Sequence, residues 1–279
     1  MRITIRMLAE LTVVSACLCA PASAADSIAR GAFPAGLQAF GNAGIGFQCG
    51  AQYRGTSYVL PTVLVQATPA CATRTCGAAN CVATGVPSPA LALPQFQFAA
   101  GSTNLATPGG LTLPPGATDF NTISVPNGAT LNMSTRGVVR INSLTLGANS
   151  QVNWLPGDYW IGNLAESGAG VGATFSVIGT GTVRIFVRSP VTFHRLSSWN
   201  ASSSAGRMVL YFYDAVTLDT PKGSNVNAIV YAAGQAALRG AALTGALAAK
   251  SVVLAPDASV AYDAAAVGAA DFGPSFAAR

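Results

Sequence analysis

Over the carboxy-terminal two-thirds of the chain, short β-branched and aromatic runs alternate with Gly, Asn, Ser and Pro turns. That is the pattern of strands rather than helices. The runs come in pairs: 183–187 with 191–193, 209–213 with 216–218, 228–231 with 236–238, and 245–248 with 251–254. An earlier copy is 138–141 with 144–146. Ile185 to Val191, Leu210 to Val216, Ala246 to Val252 and Val138 to Leu144 are each six positions, and Ile229 to Ala236 is seven. Successive long strands lie about 16 to 26 positions apart, so the connecting loop is the variable part. Two strands at a constant bend, joined by a loop of variable length, describe one coil of a parallel β-helix. The predicted fold class is all-β: a parallel β-helix (β-solenoid) with an irregular, disulfide-containing amino-terminal section. About seven or eight coils between Leu111 and Asp263, stacked about 4.8 Å apart, make a rod of roughly 35–40 Å.

Two other readings compete. An antiparallel sandwich also alternates strands with turns, but it does not require the fixed bend. Residues 228–249 are long and Ala-rich enough to suggest a membrane helix, against which stand Gln235, Arg239, three glycines and the strand pairs on either side.

The period is missing upstream. Residues 28–40 form an amphipathic patch, 58–65 read as a strand interrupted at Pro61, and Pro-rich connections follow at 87–89, 94, 108–110 and 114–116. Before these, Arg2 and Arg6 precede an apolar stretch at 11–21, and Ala22-Ser23-Ala24 gives a small-x-small cleavage pattern. This predicts a signal peptide. Val14-Ser15-Ala16-Cys17 also resembles a lipobox, so lipidation of Cys17 stands as the alternative. The expected division is a signal peptide over 1–24, an irregular Cys-containing section over 25–110, a solenoid over 111–265 and a tail over 266–279. The expected location is the periplasm, the outer surface or the medium, with no membrane span once the signal is cleaved.

Composition agrees with strands. Of 279 residues, 51% are hydrophobic and only 9% charged, with 30 Gly and 16 Pro. An ordinary domain is roughly 25% charged. Disorder is excluded by the apolar content, and a helical bundle by the shortage of Lys, Glu and Arg for its solvent faces. Stacked coils place identical positions above one another, where like charges repel. The basic residues are scattered singly, which argues against nucleic acid as a partner.

Cys49, Cys71, Cys76 and Cys81 remain after the signal, an even number in an oxidising compartment, and are expected to form two disulfides of open connectivity. Their C-x4-C-x4-C spacing and the distance to the only histidine, His194, argue against a metal site. No cofactor motif occurs: no G-x-G-x-x-G opens a helix and no G-x-S-x-G marks a serine nucleophile. Asp214 and Asp219, flanking a short strand, are the best carboxylate pair for glycosidase chemistry, but both sit where turns commonly use Asp. His194 reads as a turn residue. Trp199, in a Ser/Asn-rich loop, is a candidate contact for a partner protein or a glycan, or else folds back to cap the rod.

Several runs are similar to the MshQ-type proteins of MSHA-pilus biogenesis: 37–45 (Leu-Gln-Ala-Phe-Gly-Asn-Ala-Gly-Ile), 155–160 (Leu-Pro-Gly-Asp-Tyr-Trp), 183–187 with 191–193, and 227–232. The resemblance implies an exported, non-catalytic structural or adhesive surface module associated with a type IV pilus, whose partners are pilus components or a surface glycan or protein. It carries no catalytic residue. The alternative is a secreted carbohydrate-active enzyme or glycan-binding protein on the same scaffold. Paired carboxylates in a groove favour the enzyme, a row of exposed aromatics favours glycan binding, and a smooth Thr/Ser/Ala face with an open terminal coil favours assembly.

Overall fold

The computed structural model describes residues 90–273 except 107–108, 135–136, 168–171, 194–197 and 221–223. Outside that stretch it describes 33, 36–41, 44–48, 50–54, 57–59, 75–76, 82–84 and 277–278. In chain order the strands begin with β1 (Leu37–Ala39), β2 (Ile45–Phe47), β3 (Gln52–Arg54), β4 (Ser57–Val59), β5 (Thr75–Cys76), β6 (Val82–Thr84) and β7 (Leu91–Ala92). The next group is β8 (Asn104–Ala106), β9 (Leu111–Thr112), β10 (Asp119–Val125), β11 (Thr130–Asn132), β12 (Gly137–Leu146), β13 (Gln151–Trp154) and β14 (Gly157–Glu166). β15 (Thr174–Val177), β16 (Val183–Val187), β17 (Val191–Phe193), β18 (Ser198–Trp199), β19 (Met208–Phe212) and β20 (Val216–Asp219) follow. The solenoid chain ends with β21 (Asn225–Arg239), β22 (Ala242–Leu254) and β23 (Ser259–Tyr262), then a six-residue helix α1 (Ala264–Ala269) and β24 (Ala277–Ala278).

These strands stack into a parallel β-solenoid of about seven turns. One side is the ladder β10–β12–β14–β16–β19–β21–β22, and a second is β9–β11–β13–β15–β18–β21–β22–β23. The third is formed by β8 on the second halves of β10, β12 and β14, and farther along by β17–β20–β21–β22. β21 and β22 bend through all three sides without a break. All pairings within this sheet are parallel; the antiparallel pairs among the described residues are β24–β7 and an isolated bridge between Asp219 and Gly240. The sandwich reading is overturned, and the Ala-rich stretch 228–249 is strand, not a membrane helix. No helix among the described residues is long and apolar enough to cross a membrane.

Register explains the constant bend. Val191, Val216, Ala236 and Val252 lie directly above one another on the third side. On the first side Ile185 stacks on Leu210, Leu210 on Val230 and Val230 on Leu247. The partner of Leu210 is therefore Val230 and not Ile229, which restores a six-residue bend to Ala236. Leu247 to Val252 is five, and the difference is absorbed by a register shift between Ala232 and Gln235. Inward side chains from the three sides, among them Leu131, Val152, Ile185, Leu210, Val216 and Leu243, fill one continuous interior.

The amino-terminal region departs from expectation. The described residues between 37 and 54 are not irregular: β1, β2 and β3 form one more coil at the carboxy-terminal end of the stack. Leu37 pairs with Leu247, Ile45 with Val252 and Tyr53 with Val260, one on each side. β4, β5 and β6 continue the ladders beyond it. The other boundary also moves, because β8 already pairs with β10, so the solenoid begins before Leu111. The first correction has a plain cause. The coil made by 37–54 finds its partner about two hundred residues away, where no local period can announce it.

From that end the chain returns along the outside of the first side. Leu91 N–H donates to Tyr231 Oη at 2.8 Å, Tyr213 Oη donates to the Pro94 carbonyl, and Arg140 Nη2 donates to Gln97 Oε1 at 2.8 Å. Ala99 N–H then reaches Asn142 Oδ1 at 3.0 Å, and Asn121 N–H reaches the Thr103 carbonyl at 2.8 Å. The strap thus passes β21, the turn after β19, then β12 and β10 before entering β8. With α1 and Phe272 it covers a second apolar cluster on the outer surface, built on Trp160, Phe186, Tyr211 and Tyr231.

Candidate functional site

The second side carries two outward rows of polar residues. Outward positions Thr130, Gln151, Thr174, Ser198 and Asn225 stand in one row, and Asn132, Asn153 and Ser176 in the next. Asn153 Nδ2 donates to Asn132 Oδ1 at 2.7 Å and Gln151 Nε2 to Asn153 Oδ1 at 2.8 Å. None of these eight residues is charged. The alternation of strands dictates this: Leu131, Val152, Phe175 and Trp199 point inward between them. The face offers hydroxyl and amide groups at the coil spacing, suited to broad polar contact.

Six of the described carboxylates are occupied elsewhere. Asp119 accepts from Thr118 Oγ1 at 2.7 Å and pairs with Arg140 at 3.5 Å. Asp263 caps α1 by accepting from Ala266 N–H at 2.8 Å. Asp214 accepts from Ala215 N–H at 2.8 Å, a turn contact, and Asp219 lies 4.0 Å from Arg239 on an exposed edge. Asp158 and Asp271 both engage Arg184, Asp271 at 2.6 Å. Burial alone would lower the pKa of Arg184, but the hydrogen bond and charge of Asp158, with those of Asp271, raise it instead. The guanidinium thus stays a fixed cation tying the carboxy-terminal segment to β14 and β16.

A groove of about 460 Å³ lies between the loop at Gly179–Thr182 and the segment Ser204–Arg207. Arg207 turns its guanidinium back onto the Gly179 and Gly181 carbonyls and the Ser203 hydroxyl. No carboxylate lines the groove.

Of the residues singled out by sequence, Trp199 is corrected most clearly. It is 1% exposed, stacked on Phe175 at 4.6 Å and edge-on to Phe193 at 4.5 Å. Its loop carries β18, and a two-residue strand in register with β15 turns the indole into the interior rather than toward a partner. Cys49, Cys71 and Cys81 lie outside the described residues, as do residues 1–32 and His194; Cys76 is placed only as backbone in β5. The sequence reading passed over Phe98, which is 55% exposed and beside which Arg188 sits 5.2 Å from the ring centroid. Its signal was Gln95-Phe96-Gln97-Phe98, an alternating run hidden among proline-rich connections.

No curated protein and no solved structure matches the chain. Residues 130–268, from β11 through most of α1, match the family model described as "Domain of unknown function (DUF7305)", so the similarity lies over the solenoid body.

Proposed function

We propose that this protein is an exported, non-catalytic structural or adhesive module of the cell surface, working with a type IV pilus of the MSHA kind in assembly or adhesion. The observation that carries the reading is the uncharged Thr/Ser/Asn/Gln stretch of the second side from β11 to β21, with Asp119, Asp158, Asp214, Asp219, Asp263 and Asp271 committed to caps, turns and ion pairs. A long, rigid, flat solenoid face suits contact with an extended partner better than turnover of a small molecule. Export is supported by the amino-terminal segment, and the pilus association by the resemblance of the runs at 37–45, 155–160 and 183–193. Deleting the gene in its native host should lower piliation or surface attachment several-fold, with recovery on complementation. Unchanged piliation and attachment would overturn the reading.

A glycan-binding role is the second reading, and Phe98 favours it. An exposed ring beside a guanidinium is a platform on which a sugar can stack. Phe98→Ala should then abolish retention on immobilised polysaccharide. Release of reducing sugar by the purified protein would instead point to a carbohydrate-active enzyme.

A further inference from the structure

The coil formed by residues 37–54 lies against a coil it does not follow in sequence. Elsewhere from β8 to β23 each coil leads directly into the next, so covalent continuity holds neighbours in register. At the junction of β22 and β23 with β1, β2 and β3, the contact rests on non-covalent bonds alone. It is nevertheless complete on all three sides. Phe40 N–H donates to the Ala249 carbonyl at 3.0 Å, Gln48 N–H to Leu254 at 2.8 Å and Gln52 N–H to Ala258 at 2.8 Å. The acceptor edge donates back, Leu247 N–H to Gly36 at 2.9 Å and Val252 N–H to Gly44 at 3.1 Å.

The fit is specific as well as complete. A Cβ on Gly41 would fall 2.5 Å from the Lys250 carbonyl, so the backbones meet there only because the side chain is absent. Leu37, Ile45 and Tyr53 enter the interior ladders directly above Leu247, Val252 and Val260, and all six are buried. Without its coil, the β22–β23 edge would present these apolar residues together with unpaired backbone groups, the combination that recruits another strand.

We propose that this edge also receives the coil 37–54 of a second copy, so that copies of the chain join by exchanging their amino-terminal coils. Every contact needed is already made within one chain. An exchanged pair therefore repeats them without building a new interface, and concentration during folding selects between the two arrangements. The partner is a second copy because the edge is matched residue by residue to this chain's own segment, including the glycine at 41. The inference stands on the register and the chain path and does not depend on the proposed surface role.

Arg54 and Ala261 provide the test, since they are paired neighbours on the outward face of the second side. Two full-length chains with different tags, one carrying Arg54→Cys and the other Ala261→Cys, are co-expressed so that they fold together. The expected product is a disulfide-linked dimer bearing both tags, with the bridge mapped by mass spectrometry to the two introduced sulfurs. It should vanish when Ala261→Ser replaces Ala261→Cys. In parallel, the unmodified chain refolded at rising concentration should show a growing fraction of twice its own monomer mass by light scattering. A chain that stays monomeric throughout overturns the proposal, as does a double variant that bridges within one chain while the mixture yields no mixed dimer.

Discussion

Trp160 lies flat on Phe186, with ring centroids 4.1 Å apart and 8° between planes. The two are partners in the β14–β16 ladder, so parallel register alone brings the rings face to face. Tyr211 repeats the contact on the next coil, 4.8 Å from Phe186 at 14°. This column points away from the solenoid interior, yet Trp160, Phe186 and Tyr211 are as buried as the true core. The strap at 90–98 and the segment from α1 to Phe272 give the rod a second core on its outside.

Phe186 is the middle of that column, and truncating it should be felt on both sides. Phe186→Ala removes a fully buried ring and its two stacking contacts, for an expected loss of about 3–5 kcal/mol. Phe186→Leu should lose less, because it retains most of the volume. Denaturant unfolding of both variants measures the difference.

Two tyrosine hydroxyls hold the covers in place. Tyr211 Oη donates to the Phe272 carbonyl at 2.9 Å, and Tyr231 Oη accepts from Leu91 N–H at 2.8 Å. Tyr211→Phe should leave the Phe272 carbonyl buried without its partner, at about 1–3 kcal/mol. Tyr231→Phe should do the same to the Leu91 amide. Amide hydrogen exchange should separate the two: faster exchange around 264–273 in the first variant and around Leu91 in the second.

What the sequence disclosed follows from what repeats locally. Ile185 with Val191 and Leu210 with Val216 show their bend because each pair is closed by a short turn inside one coil. The long-range junction left no such trace, since Leu37 and Ile45 are eight positions apart and their partners, Leu247 and Val252, only five. The outer core did leave one. Residues 208–212 are an unbroken apolar run, buried throughout, which signals a strand covered on both faces. For Trp199 the sequence shows only a polar loop around it, while a single rung of pairing decides which way it faces. Phe98 was missed because its alternating run, 95–98, is only four residues long and lies among proline-rich connections.

Burial raises the pKa of Tyr53 to about 12, although a hydrogen bond to the Gly36 backbone opposes the shift, and burial raises Tyr159 and Tyr213 further. An unfolded tyrosine releases its proton near pH 10. Above that pH the unfolded chain holds fewer protons than the native one, so stability must fall as pH rises. Below about pH 10 these groups contribute no pH dependence. Between pH 10 and the folded pKa, Tyr53 and Tyr159, whose side chains are fully buried, should each remove about 1.4 kcal/mol per pH unit. Thermal melts across this range should therefore show a plateau and then a steep decline. Tyr53→Phe should make the decline shallower.

Gly245 tests the close stacking of backbones. Its φ is +135°, and a Cβ there would fall 2.1 Å from the Ala228 carbonyl on the neighbouring strand. Gly245→Ala combines backbone strain with a clash that no flexible side chain can relieve, so about 2–4 kcal/mol should be lost. Gly128→Ala is the control. Its φ is +70°, but the space around it is open, so strain acts alone at about 1 kcal/mol.

Arg184 and Asp158 form the most enclosed ion pair among the described residues, with side chains 13% and 11% exposed, and Asp271 completes it from the carboxy-terminal segment. Arg184→Gln should cost about 3–5 kcal/mol, because it strands Asp158 as a carboxylate within the sheet face. Removing both charges tells a different story. In Asp158→Asn with Arg184→Gln neither group is left unpaired, and most of the lost stability should return. Denaturant unfolding of the single and double variants would give a coupling of roughly 1–3 kcal/mol. Simple additivity of the two losses would mean that the pair contributes only as separate hydrogen-bonding groups. Asp271→Asn should have a smaller effect, since its carboxylate is 62% exposed and water can replace its contact with Arg184. That ordering follows the burial of the two carboxylates, 11% exposed against 62%.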